Sequence, residues 1–173
     1  MPHPFVLATR APRSLASPFI ARYCADLSQK KNLEIVRNIY GLLNRIGTAT
    51  FLALPDTDRR AFYKLICDPE LEIIQSAELV FDTDGTFHGY DGFIKVAREL
   101  VEGLGDINFD ADKGFESGDT VVCEVRARAT GSGSGVPVEL SMAHLWELRE
   151  GLACRWVVYP TVGEALEAAG MQE

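Results

Sequence analysis

The chain has 173 residues, 47% apolar and 24% charged, with a net charge of -8 at pH 7 and an isoelectric point near 4.9. That length and composition suit one domain with a real hydrophobic core. No run approaches the roughly 20 apolar residues that span a bilayer, and the acidity works against phosphate backbones, so neither a membrane nor nucleic acid is an expected partner.

The charge is uneven. Residues 1–32 carry five basic residues and one acidic, whereas residues 33–173 carry 12 basic and 24 acidic. The shift sets a boundary near Asn32 between an N-terminal extension, 1–32, and a domain, 33–173. The extension mixes arginines with serines and has no acid before Asp26, a composition shared by organellar transit peptides and by poorly ordered tails. The cysteines at 24, 67, 123 and 154 form no CxxC pair. Cys123 and Cys154 fall within apolar strand patterns and read as buried free thiols, consistent with a reducing, cytoplasmic setting, or an organelle if residues 1–32 are a transit peptide.

Along the domain, Leu33, Val36, Ile39, Tyr40, Leu43 and Ile46 recur at helical spacing, with Asn32 as N-cap and Gly47 as stop. Ala61, Phe62, Leu65 and Ile66 mark a second helix between Pro55-Asp56 and Asp68-Pro69, and Leu71, Ile73 and Ile74 a short strand. Asp84-Gly85 makes a turn, and Asp91 is placed to cap the helix that starts at Phe93 and leaves through Gly105.

Beyond Gly105 the period falls to two. Strands are expected from Ile107 to about Phe115, from Val121 to Ala129, from Val138 to Leu148 and from Cys154 to Tyr159, and a terminal helix from Val162 to Ala169. Helices followed by hairpin-linked strands imply an α+β fold with an antiparallel sheet packed on about three helices.

Within the strand 138–148, Met142, His144, Trp146 and Leu148 share the apolar parity; in the last strand Cys154, Trp156 and Val158 share one. His144 is the candidate catalytic residue, because an imidazole on an apolar face can donate to a developing oxyanion or take a proton next to a carbonyl. Burial would keep it neutral near pH 7. The plainer alternative is a core histidine bonded to a backbone or tyrosine group. Arg126 and Arg128 are ambiguous: their strand's apolar residues have the other parity, which points the arginines outward, and the plain reading is a Glu124–Arg126–Glu139 charge ladder. No histidine stands at metal-ligand spacing from another, and Gly131–Gly135 precedes no helix, so neither a metal, a phosphate loop nor a cofactor is expected.

Three segments resemble the SnoaL-like branch of the nuclear transport factor 2-like superfamily: Gly85–Gly92 (GTFHGYDG), Gly133–Glu139 running into Ala143–Trp146, and Tyr159 followed by Glu164–Gly170. The resemblance implies a cone whose sheet encloses an apolar pocket, the arrangement of polyketide cyclases, ketosteroid isomerases, epoxide hydrolases and scytalone dehydratases. It places His144 near the isomerases' oxyanion-stabilising acid and puts Trp146, Trp156, Met142, Val158 and Tyr40 at the pocket. It departs from the epoxide hydrolases, whose Trp-Arg-Asp-Tyr run becomes Trp156–Tyr159 with Val158 in place of the acid. It also implies a homodimer through the outer sheet face, where Ala143, Leu145 and Val157 are apolar. Two functions stay open: acid–base chemistry of the isomerase or cyclase type on a small hydrophobic ligand, or a non-catalytic binding or association module.

Overall fold

The computed structural model describes residues 31–75 and 85–172. The expected transit-like segment up to residue 30, with His3 and Cys24, and the Asp84 half of the turn lie outside them. In chain order the elements are α1 (Asn32–Ile46), α2 (Thr48–Ala53), α3 (Asp56–Ile66), β1 (Cys67–Gln75), β2 (Gly85–His88), α4 (Gly89–Leu104), β3 (Ile107–Ser117), β4 (Thr120–Thr130), β5 (Pro137–Arg149), β6 (Leu152–Tyr159) and α5 (Val162–Ala168).

The six strands form one sheet in the order β2-β1-β6-β5-β4-β3. All neighbouring pairs are antiparallel except β1 with β6, which run parallel. The sheet is therefore mixed, where alternation alone suggested an antiparallel one. Register shifts in β1, near Asp112 in β3 and at the β5–β6 pairing mark irregularities of the kind that bend strands and sharpen their twist.

α1, α3 and α4 pack with the concave face and bury Val36, Ile39, Tyr40, Phe62, Ile66, Phe93 and Val96 against β-strand residues such as Ile73, Val121, Val125 and Trp156. α1 is fixed to the sheet in three ways. Glu116 of β3 accepts from the amides of Asn32 and Leu33 at 3.1 and 3.3 Å, so a strand carboxylate caps the helix and Asn32 is its first residue, not its cap. Asn44 makes a reciprocal amide clip to the backbone of Phe109, at 2.8 and 2.9 Å, which satisfies part of the free edge of β3. Gly114 of β3 lets Leu33 approach, since a Cβ there would overlap that side chain.

α4 begins at Gly89, so Asp91 lies inside its first turn and does not cap it; its charge still favours the positive end of the helix dipole. The register shift between Glu147 and Leu148 sets Ala153 opposite Leu148. That shift breaks the expected parity of Cys154, which is half-buried with its thiol against the Glu147 carbonyl; Cys67 and Cys123 are buried.

The outer face holds the largest surprise. Val122, Ala143, Leu145 and Val157 are buried there under Ala165 and Leu166 of α5. Thr161 caps α5, its hydroxyl accepting from the Glu164 amide and donating to the Glu164 carboxylate. The apolar residues from which a homodimer was expected are thus covered by the chain's own last helix. The rest of that face is charged: Arg126 and Arg128 point outward, as expected, and pair with Glu139, Asp112 and Asp110.

Candidate functional site

β5 turns Met142, His144, Trp146 and Leu148 inward, and pairing across to β6 sets Trp156 beside Trp146 and Val158 beside His144. The two indoles stack, centroids 5.0 Å apart and 5° from parallel. The His144 ring meets Trp156 at 5.3 Å, edge to face. Tyr40 comes down from the middle of α1 into this cluster because it shares a face with Val36 and Leu43.

These side chains form a hydrogen-bonded chain out of contact with water. Trp146 Nε1–H donates to Tyr40 Oη at 2.9 Å, and Tyr40 Oη lies 2.8 Å from His144 Nδ1. Direction follows from satisfaction. An indole N–H only donates, so the tyrosine oxygen accepts there, and its own proton has no other acceptor among the described residues. The Tyr40 hydroxyl therefore donates to Nδ1, and neutral His144 carries its proton on Nε2. Burial holds the imidazole far below its usual range, at about 3, because a charged ring would lose its hydration. Burial, with Cys123 nearby, pushes the Tyr40 phenol well above its ordinary value against the opposing pull of the Trp146 hydrogen bond. Both groups are neutral at pH 7, one as a fixed donor and the other as a fixed relay.

A cavity of about 20 Å³ opens beside His144, roughly the room one water needs. Its wall includes Met142, His144, Trp156 and Val158, together with Gln75, Phe109 and Leu100. A second cavity of about 30 Å³ shares Leu100, Phe109 and Trp156 with the first. Of the residues expected at the pocket, Met142, His144, Trp156 and Val158 line the first cavity. Tyr40 and Trp146 do not reach it and instead hold His144 from behind.

Gln75 escaped sequence analysis, although its signal was present: it continues the inward parity of Leu71 and Ile73. Leu100 and Phe109 reach this wall from α4 and β3, elements that local periodicity does not place beside β6. Trp156 Nε1 is buried with no hydrogen-bond partner among the described residues. The cavity wall includes no carboxylate, and no group of three metal-ligating side chains occurs among the described residues. Tyr90, at the start of α4, lies elsewhere and donates to Asp56 at 2.8 Å.

A curved sheet closed around helices, with an apolar interior and a few convergent polar groups, is the architecture of the cone-shaped α+β proteins. Comparison with known proteins makes this specific. The SnoaL-like domain model matches residues 72–156. A nuclear transport factor 2-like protein from Burkholderia thailandensis superposes with a TM-score of 0.59 at 24% identity, over 84% of this chain and 100% of that one. A candidate SnoaL-like polyketide cyclase from Jannaschia superposes at 0.56 and 17% identity, over 82% and 93%. TerC, co-crystallised with polyporic acid, superposes at 0.55 and 22% identity, over 79% and 95%. No curated protein matches the chain. The chain thus has the nuclear transport factor 2-like fold, and residues 72–156 carry the SnoaL-like match.

Proposed function

We propose that this protein holds a small, neutral, largely apolar molecule inside the cone, with His144 Nε2–H donating to an oxygen on that molecule. The observation behind this reading is the Trp146–Tyr40–His144 chain. It keeps three polar groups out of water, at a cost an apolar core would avoid, and orders them so that the position left open on His144 lies at the cavity wall. Among the described residues nothing accepts from Nε2. The wall offers no countercharge, so a charged ligand would lose its hydration without compensation.

The cavity at its present size admits a water and no more. Entry of a larger molecule requires the two cavities to merge, and Leu100 and Phe109 are the side chains between them that must turn. TerC, seen with polyporic acid, supports the idea that this fold can make such room. Proton-transfer chemistry has less support. A base near pKa 3 is far from the working pH, its basic nitrogen is occupied by Tyr40, and no second titratable group lines the cavity. Binding is therefore the favoured function, ahead of isomerase- or cyclase-type catalysis.

The test uses 2-acetylnaphthalene, a neutral aromatic ketone, followed by quenching of the Trp146–Trp156 fluorescence. Saturable quenching in the native protein, weakened about 2- to 10-fold by His144→Leu, is expected for one neutral hydrogen bond of about 0.5–1.5 kcal/mol. Saturable quenching that ignores the substitution, or no saturation at all, refutes the reading.

A further inference from the structure

We infer that a groove between α3, the start of β1 and the start of α4 is a separate binding site for a small aromatic carboxylate. The groove has a volume of about 230 Å³ and is lined by Arg60, Tyr63 and Lys64 of α3, Pro69 of β1 and Tyr90 of α4. It is far larger than either interior cavity, and none of its lining residues takes part in the His144 cluster.

Its aromatic wall is fixed before any ligand arrives. Tyr63 and Tyr90 meet edge to face, 5.5 Å apart at 84°. The Arg60 guanidinium lies 4.1 Å over the Tyr90 ring, within cation–π range. The Tyr90 hydroxyl donates to Asp56 at 2.8 Å, and the same carboxylate accepts from Arg60 Nε at 2.7 Å and Arg59 at 3.3 Å. The Tyr63 hydroxyl donates to the Asp68 carbonyl at 2.8 Å. Rings held from both ends lose little freedom when a flat molecule packs on them, which is the condition for affinity in a shallow site.

The charges point to an anion. No carboxylate lines the groove. The nearby acids already have cations: Asp56 has Arg59 and Arg60, Asp91 lies 4.0 Å from Arg60, and Asp68 lies 3.6 Å from Arg149. Lys64, exposed one turn beyond Arg60, has no ion pair among the described residues. An ammonium with no ion pair among the described residues, beside a rigid aromatic wall, fits a ligand with a π-face and a single carboxylate. A neutral arene leaves Lys64 unused, and an aliphatic acid leaves the tyrosines unused.

The experiment is an amide NMR titration of the full chain with 2-naphthoate, 2-naphthalenemethanol and cyclohexanecarboxylate. We expect saturable shifts from 2-naphthoate centred on residues 60–69 and 90, with each control at least about fivefold weaker, the scale of one exposed ion pair. Lys64→Gln should lower 2-naphthoate affinity to that of the alcohol and leave the alcohol unchanged, while His144→Leu should change none of the three. Equal affinity for all three probes, an unchanged 2-naphthoate affinity in Lys64→Gln, or shifts centred on the interior cavity overturns the proposal. A failure confined to the interior ketone assay would leave this site standing, because the two readouts share no residue.

Discussion

The two faces of the central sheet use the same alternation for opposite ends. On the outer face, Val122, Ala143, Leu145 and Val157 meet Ala165 and Leu166 of α5 in a wholly apolar patch. On the inner face, the same strands present His144, Trp146 and Trp156 to Tyr40, with two small cavities beside them. The outer patch is ordinary packing, in which every side chain serves by filling volume. The inner cluster is built around hydrogen bonds that must be satisfied in the dry. The contrast teaches that inward parity marks position only; what a residue does there depends on which helix lies opposite.

The strongest way to break this comparison is to empty the outer patch. Leu166→Ala should cost about 2–5 kcal/mol, the range for a buried leucine, and leave ketone binding in the folded fraction unchanged. A urea melt and the fluorescence titration measure both. A loss under 1 kcal/mol would mean that α5 covers the sheet only loosely.

Next in size is Tyr40→Phe, which keeps the ring and removes the relay. It strands the Trp146 N–H and leaves His144 Nδ1 without its donor, so about 1–3 kcal/mol should be lost for each buried orphan group. Nitrogen NMR of the His144 ring should show a single Nε2–H tautomer in the native protein and a change in the variant. An unaltered ring spectrum would remove the relay from the account.

His144→Leu should cost less, about 1–3 kcal/mol. Leucine suits the apolar wall, but the Tyr40 proton then has no acceptor. A histidine that only filled space could become leucine at little or no cost; the Tyr40 contact reverses that sign. Equal or greater stability in the variant would show that the Tyr40 proton finds another acceptor.

The last effect is on pH dependence. His144 in the folded chain sits at about 3, below the roughly 6.5 of an unfolded histidine. Between those values the unfolded chain binds the extra proton, so stability falls as pH drops from about 6.5 toward 3, by up to about 1.4 kcal/mol per unit. Above pH 6.5 the term vanishes. The native protein should lose more stability than His144→Leu between pH 6.5 and 4.5, measured by paired melts. Parallel curves would mean that the ring is not buried as described.

The amino-acid pattern by itself determined most of the architecture. Period-two alternation in β4 and β5 set their inward faces, because a strand's pleat leaves no other choice. Gly47 and Gly105 ended their helices through left-handed backbone, with φ of 76° and 70°. Arg126 and Arg128 faced outward, and His144 inward, on parity alone. Other features depended on contacts between residues far apart in the chain, which local pattern does not encode. A single register shift in the β5–β6 pairing moved Cys154 off the inner face. The parallel pairing of β1 with β6 came from the course of the chain between them. The fit of a seven-residue helix, 162–168, over the outer strands buried a face that alternation had left bare. Tyr40 and His144 are 104 positions apart, and only the crossing of α1 over β5 gave the histidine an orientation and a fixed proton. Sequence could place an imidazole in the core; tertiary structure decided which nitrogen faces the cavity, because a hydrogen bond depends on distance and direction in space.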